Sequence, residues 1–186
     1  MRTFIAIEIP AEIRAALAAL QTDLRRAKAD VSWTKPDNIH LTLQFLGEIE
    51  ERRISEIAVA LVGCARQFQA FTLCLNGVGV FPNARQPRVL WAGLSGEVEA
   101  LLAMQRDLAA RLSAIGIKGD GKAFHPHLTI GRVKSKRNAR ELVAQADVYS
   151  LPALSFAVHE IALVKSELLP AGARYTALAQ AGLPIQ

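Results

Sequence analysis

A His-x-Thr pattern set among apolar residues occurs twice, in Ile39-His40-Leu41-Thr42-Leu43-Gln44-Phe45-Leu46-Gly47 and in His125-Pro126-His127-Leu128-Thr129-Ile130-Gly131-Arg132. Side chains of an extended strand alternate between two faces. Alternation puts His40 and Thr42 on one face and Ile39, Leu41, Leu43 and Phe45 on the other, and it sets His127 and Thr129 against Leu128 and Ile130 in the same way. What leads into each copy also repeats as strand, helix and loop. Phe4 stands 36 residues before His40, as Trp91 stands 36 before His127. An internally duplicated unit with an approximate two-fold axis is the economical account, and such an axis turns the histidines toward each other. The expectation is a single domain over residues 1–186, with His-x-Thr-x motifs at 40–43 and 127–130.

Periodicity and turn residues place the other elements. Arg2 to Ile9 alternates and reads as a strand stopped by Pro10, which suits the first turn of a helix. Ile13, Leu17, Leu20 and Leu24 recur at helical spacing, and basic residues near the end carry that helix to about Lys28. Val31 to Asn38 reads as a loop into the first motif strand, which Gly47 ends. A second helix holds Ile54, Ile57, Leu61 and Val62, followed by a strand from Phe71 to Asn76. Gly77-Val78-Gly79 lacks the rest of a dinucleotide or P-loop motif and reads as a bend or bulge. A basic loop bounded by Pro82 and Pro87 opens into the strand Val89 to Leu94. Val98, Leu101, Leu108, Leu112 and Ile115 then mark a helix ended by Gly116, a short helix follows near Asn138 to Ala146, and Leu154 to Val164 and Tyr175 to Leu178 close the chain as strands around a turn at Pro170-Ala171-Gly172.

Composition narrows the function classes. With 186 residues and 51% hydrophobic content the chain can bury its own core. No apolar run approaches the roughly 20 residues that cross a bilayer, and Glu8 and Pro10 interrupt the start before a signal-peptide core, so a cytoplasmic protein without membrane contact is expected. Cys64 and Cys74 have neither CxxC spacing nor further cysteines beside them, which argues against a disulfide framework or structural zinc and for buried free thiols. A net charge of +5 admits polyanionic partners without demanding them. Arg132, Lys134, Lys136, Arg137 and Arg140 form a basic cluster beyond the second motif, from which Arg132 and Lys136 are the candidate anion contacts. Strict alternation sets Arg132 opposite His127, so it reaches the histidine face only through a bulge near Gly131.

Histidine gives or takes a proton near neutrality, with an unperturbed pKa of about 6.5. In-line displacement at a phosphodiester needs a base on the attacking oxygen and an acid on the departing one, at opposite apices of phosphorus. Residues two apart on a strand are roughly 6.5 Å from each other, so a threonine hydroxyl reaches a non-bridging oxygen while its histidine reaches an apical one. Each His-x-Thr is thus half of a phosphoryl site. His125 shares a face with His127 but has no histidine counterpart at Asn38 and reads as a supporting side chain, and His159 reads as structural. A metal reading of His125-x-His127 is the weaker one, since nearby carboxylates are few and no HExxH occurs.

Trp33-x-Lys35-Pro36-x-Asn38-Ile39-His40-Leu41-Thr42-Leu43-x-Phe45-Leu46-Gly47 resembles the first signature of the two-histidine phosphoesterases, and within them the RNA 2',3'-cyclic phosphodiesterases, also called 2'-5' RNA ligases. Arg2-x-Phe4-Ile5-Ala6-Ile7, Phe81-Pro82, Pro87-Arg88-Val89-Leu90-Trp91, Phe124 to Arg132 and Ser166 to Tyr175 extend the resemblance over nearly the whole chain. It implies an α+β fold of two pseudo-symmetric lobes, each an antiparallel sheet with helices on its outer face, around a central cleft carrying both motifs. It further implies hydrolysis of RNA 2',3'-cyclic phosphate ends to 2'-phosphomonoesters, tRNA fragments among the substrates, reverse 2'-5' ligation, a monomer, and no metal or other cofactor. His127 is then the base and His40 the acid, labels that the near-symmetry leaves exchangeable, while Thr42 and Thr129 hold the phosphate. Two rival readings remain: a non-catalytic RNA-binding module, and a phosphodiesterase of small cyclic nucleotides.

Overall fold

Alternating stretches become strands and the 3.6-residue apolar stripes become helices in the computed structural model, which describes residues 1–185. In chain order these are β1 (Arg2–Glu8), α1 (Ala11–Leu24), β2 (Val31–Trp33), β3 (His40–Glu48), α2 (Ile54–Ala65), β4 (Phe71–Phe81), β5 (Val89–Gly96), α3 (Val98–Ala114), β6 (Leu128–Val133), α4 (Ala139–Asp147), β7 (Ser155–Val158), β8 (Glu160–Leu169) and β9 (Gly172–Gly182). The strands form one nine-stranded, curled sheet in the order β7-β4-β5-β6-β3-β1-β8-β9, with β2 also on β6. All pairings are antiparallel. The fold is α+β as expected, but the two lobes share a sheet instead of having one each. Its halves meet where the motif strands β3 and β6 pair through Leu41 and Leu128 alone. Both leucines are 0% exposed, worth about 1.5 to 3 kcal/mol each in apolar burial, so the seam between lobes is held from the core side.

The approximate symmetry is written in the ladders. Thr42 pairs with Ala6 and Gln44 with Ile5, which leaves Leu43 as an extra residue in β3. Thr129 pairs with Trp91 and Gly131 with Leu90, which leaves Ile130 extra in β6. Both bulges fall three residues after their histidine. Each reverses the alternation beyond it. This corrects the expectation for Phe45, which is 49% exposed and faces the cleft instead of the core, and it carries Arg132 to the same face. The ladders also correct the 36-residue correspondence. Trp91 occupies the place of Ala6, and Val89 that of Phe4, because the segment between strand and motif is two residues longer in the second half.

A bulge frees carbonyls that the ladder no longer satisfies, and a buried carbonyl needs a donor. Gln21 of α1, buried among apolar neighbours, donates from Nε2 to Ile130 O (2.8 Å) and to Thr34 O (2.7 Å), while the Thr34 amide also donates to Ile130 O. Crosswise, Gln105 of α3 donates to Leu43 O at 3.4 Å. Each half's helix therefore braces the other half's bulge. Gln21→Leu, close in volume but without the amide, is expected to cost about 1 to 3 kcal/mol by urea denaturation, because it takes the Gln21 donor from Thr34 O and leaves Ile130 O with the Thr34 amide alone.

Other differences have local causes. α1 ends at Leu24 and tightens to a 3-10 turn over Arg25–Ala27, with Lys28 in the left-handed region at φ 53°, so the helix stops short of Lys28. Pro10 caps α1 in extended conformation instead of sitting in its first turn. The stretch read as a loop from Val31 includes β2, whose Val31, Ser32 and Trp33 pair with Val133, Arg132 and Gly131 of β6. That close approach requires Gly131, since a Cβ there would sit 2.7 Å from Val31 Cγ1. The stretch from Leu154 to Val164 divides at His159 because β7 pairs with β4 and β8 with β1, at separate places in the sheet. β4 runs on to Phe81 through a bulge at Asn76 and Gly77, the latter at φ 77°. Cys64 is buried and Cys74 half-buried, both as free thiols. Among the described residues no helix is long and apolar enough to cross a membrane.

Candidate active site

The face of the sheet opposite the main core forms the floor of a cleft of about 1410 Å³. His40, Thr42, His127, Thr129 and Arg132 all line it. Lys136 does not join them. It lines a separate groove of about 780 Å³ that meets the cleft at Arg88, because β6 ends at Val133 and the chain turns away toward α4.

Each imidazole is held by its own strand entry. His40 Nδ1 lies 2.8 Å from Asn38 O and His127 Nδ1 lies 2.6 Å from His125 O. A carbonyl only accepts, so each Nδ1 carries the hydrogen and donates it. That leaves Nε2 of each ring to accept a proton or, once protonated, to donate one. Asn38 and His125 are thus counterparts after all, through their main chains. No side-chain comparison reveals this, although the shared offset of two residues before each histidine was visible. The Asn38 side chain further donates to Ala173 O at 2.9 Å, which docks the start of β9 and the nearby Tyr175 beside His40.

Aromatic packing fixes the ring planes differently in the two halves. Phe4 stacks on His40 with centroids 4.6 Å apart, and Tyr175 meets the same ring edge-on at 5.2 Å. His127 is met edge-on by Phe81 at 5.1 Å, and Phe81 in turn leans on Trp91. Arg2, Arg88, Phe124 and the loop carrying Lys118 and Lys122 complete the cleft. Of these, Arg2, Phe81, Arg88 and Phe124 fall in the stretches that carry the resemblance, without a role assigned from it. His159 lies outside the cleft, where its carbonyl accepts from the Leu183 amide.

Burial pushes both imidazoles below the ordinary histidine value, and each Nδ1 hydrogen bond opposes that in part. Their further surroundings pull them apart. Glu8, paired with His40 across β1 and β3, favours the charged ring of His40, whereas Arg132 and His125 disfavour the charged ring of His127. The free protein accordingly holds two neutral imidazoles at pH 7. The unfolded chain binds these protons more readily than the folded one, so stability is full above about pH 6.5 and falls as pH drops through the depressed native values. In phosphate-free buffer the urea midpoint is expected to fall between pH 7 and pH 5, and to fall less in a His40→Gln/His127→Gln variant.

The chain is similar to known proteins over nearly its whole length. A family model described as LigT-like phosphoesterase matches residues 7–91 and 93–175, with one His-x-Thr motif in each range. An RNA 2',3'-cyclic phosphodiesterase of Methanothermobacter thermautotrophicus is 33% identical over 177 residues, which span 95% of each chain. The crystal structure of a Thermus thermophilus protein covers 100% of both chains at 33% identity with a TM-score of 0.81. The structure of E. coli LigT complexed with 3'-AMP covers 98% of this chain and 97% of its own at 28% identity, with a TM-score of 0.78. Strand order, cleft and paired motifs thus sit in a chain matched almost from end to end, and it belongs to the family of LigT-like phosphoesterases within the two-histidine phosphoesterase superfamily.

Proposed function

We propose that this chain is an RNA 2',3'-cyclic phosphodiesterase that opens the cyclic phosphate at an RNA end to a 2'-phosphomonoester by acid/base catalysis between two histidines. The observation that carries the proposal is the pair of half-buried imidazoles on equivalent strands of one cleft, each with Nδ1 tied to a carbonyl and Nε2 left for chemistry. The names of the relatives supply the substrate class, and the 3'-AMP complex of E. coli LigT suits a cleft that takes a nucleotide.

In this reading water attacks phosphorus while His127 Nε2 takes its proton, and the P–O3' bond breaks while His40 Nε2 protonates the departing 3' oxygen. Burial favours the neutral form of both rings, and the smaller contributions agree with that assignment, since Arg132 adds to this at His127 while Glu8 opposes it at His40. The phosphate anion itself raises the imidazole it faces, so substrate binding brings the acid into its charged form. Thr42 and Thr129 hydrogen-bond the non-bridging oxygens, and Arg132 stabilises the charge that builds on them. Every bond made or broken is served by a protein group, so neither a metal nor another cofactor is part of the proposal. With an RNA 5' hydroxyl in place of water as the nucleophile, the same displacement forms P–O5' as P–O3' breaks and joins the two ends through a 2'-5' phosphodiester, and hydrolysis dominates in water. A cytoplasmic setting, a monomer and tRNA fragments among the substrates belong to the same proposal.

The test is an oligoribonucleotide ending in 2',3'-cyclic phosphate, incubated with the protein in EDTA, followed by identification of the end group. Conversion to a 2'-phosphate is the expected result. No turnover, or a 3'-phosphate product, contradicts the reading.

A further inference from the structure

Resting on that reading, we propose that the groove beside the cleft is a second binding site, which takes the sugar-phosphate backbone of the nucleotides preceding the cyclic end. Five cations line it, Arg85, Arg88, Lys134, Lys136 and Arg140, against the single carboxylate of Asp147. All five are exposed, and among the described residues none is in an ion pair. Val133 and Val143 line it as well. Unpaired cations along a groove suit a single strand, whose backbone phosphates need positive charge to track. Arg88 lines both the groove and the cleft, so a strand whose end is in the cleft continues into the groove without leaving positive potential.

The pseudo-symmetry supplies an internal control. Counting from the histidines, Glu48 and Glu50 stand where Ser135 and Arg137 stand in the second half. In the first half, charge is moreover neutralised locally. Glu48 holds the amino terminus at 3.0 Å, Arg52 is bonded to Glu50, and Arg53 to Glu56. The strand exit after His40 is therefore acidic and paired, whereas the exit after His127 is basic and unpaired. A cleft built from two near-equivalent halves thus acquires a polarity, and the chain of a polyanion leaves it on the His127 side. The occupant is RNA longer than the terminal nucleotide; a mononucleotide in the cleft does not reach the groove.

The experiment measures anisotropy of a labelled RNA octamer ending in a 3'-phosphate, over a salt series, with wild type, Lys134→Glu/Arg140→Glu, and the same charge change placed elsewhere as Arg66→Glu/Arg106→Glu. Hydrolysis rates for the cyclic octamer and for a cyclic mononucleotide are measured in parallel. The groove variant is expected to bind the octamer at least roughly tenfold more weakly, with a salt slope reduced by about 1 to 2. Its mononucleotide kinetics stay unchanged, which also shows that it is folded. The control variant binds within about twofold of wild type. Equal octamer affinity in the groove variant, or an equal loss in the control variant, overturns the groove. Weakened octamer binding by the groove variant alone, with no hydrolysis by any protein, sustains the groove and overturns the phosphodiesterase reading.

Discussion

Replacing His40 or His127 by alanine is expected to lower turnover of a cyclic-phosphate RNA end by about 10² to 10⁴, with the fold intact. Each ring is held at its Nδ1 by a carbonyl two residues back and at its faces or edges by aromatic neighbours, so Nε2 is oriented before substrate arrives. Alanine removes that group and leaves the main chain as it was. The two rings act on one displacement, so their losses are non-additive, and the double variant falls little below the worse single one. Circular dichroism and urea denaturation separate lost chemistry from lost fold. Full activity in either single variant contradicts the assignment.

The second large effect concerns the hydroxyls. Thr42→Ala and Thr129→Ala each remove one hydrogen bond to a charged phosphate, worth about 1.5 to 3 kcal/mol, so kcat/KM is expected to fall roughly ten- to a hundredfold. Thr→Ser keeps the hydroxyl and restores most of the loss, whereas a merely structural threonine gives no such rescue. Both side chains stand on the cleft side of the bulges, immediately before the extra residues Leu43 and Ile130. Their orientation therefore depends on the Gln21 and Gln105 braces as well as on their own strands.

Why the motif strands were legible and their far ends were not is a matter of register. Alternation places His40, Thr42, His127 and Thr129 correctly because no bulge intervenes between histidine and threonine. Beyond Leu43 and Ile130 the same rule sends Phe45 and Arg132 to the wrong face, since one extra residue inverts every later side chain. The signal for those bulges lay elsewhere in the chain, in a glutamine set among the apolar positions of α1 and another on α3. Their purpose appears only when Ile130 O and Leu43 O are found in front of them. Likewise, Lys136 looks adjacent to the site in sequence but follows the end of β6, where the chain turns toward α4 and its side chain enters the neighbouring groove. Short β2 escaped notice because three residues ending in a Pro-bounded polar stretch carry too little periodicity, and its close pairing depends on Gly131, opposite Trp33 on β6, having no Cβ.

The most direct measurement of proton donor and acceptor facing one phosphorus is the pH dependence of kcat/KM under single-turnover conditions, for wild type and for His40→Ala and His127→Ala. A base that must be neutral and an acid that must be charged predict a bell for wild type, with apparent pKa values belonging to the coupled pair. His127→Ala is then expected to lose the acidic limb and His40→Ala the alkaline one. A profile flat between pH 5 and 8 in wild type, or the same limb lost in both variants, contradicts the account.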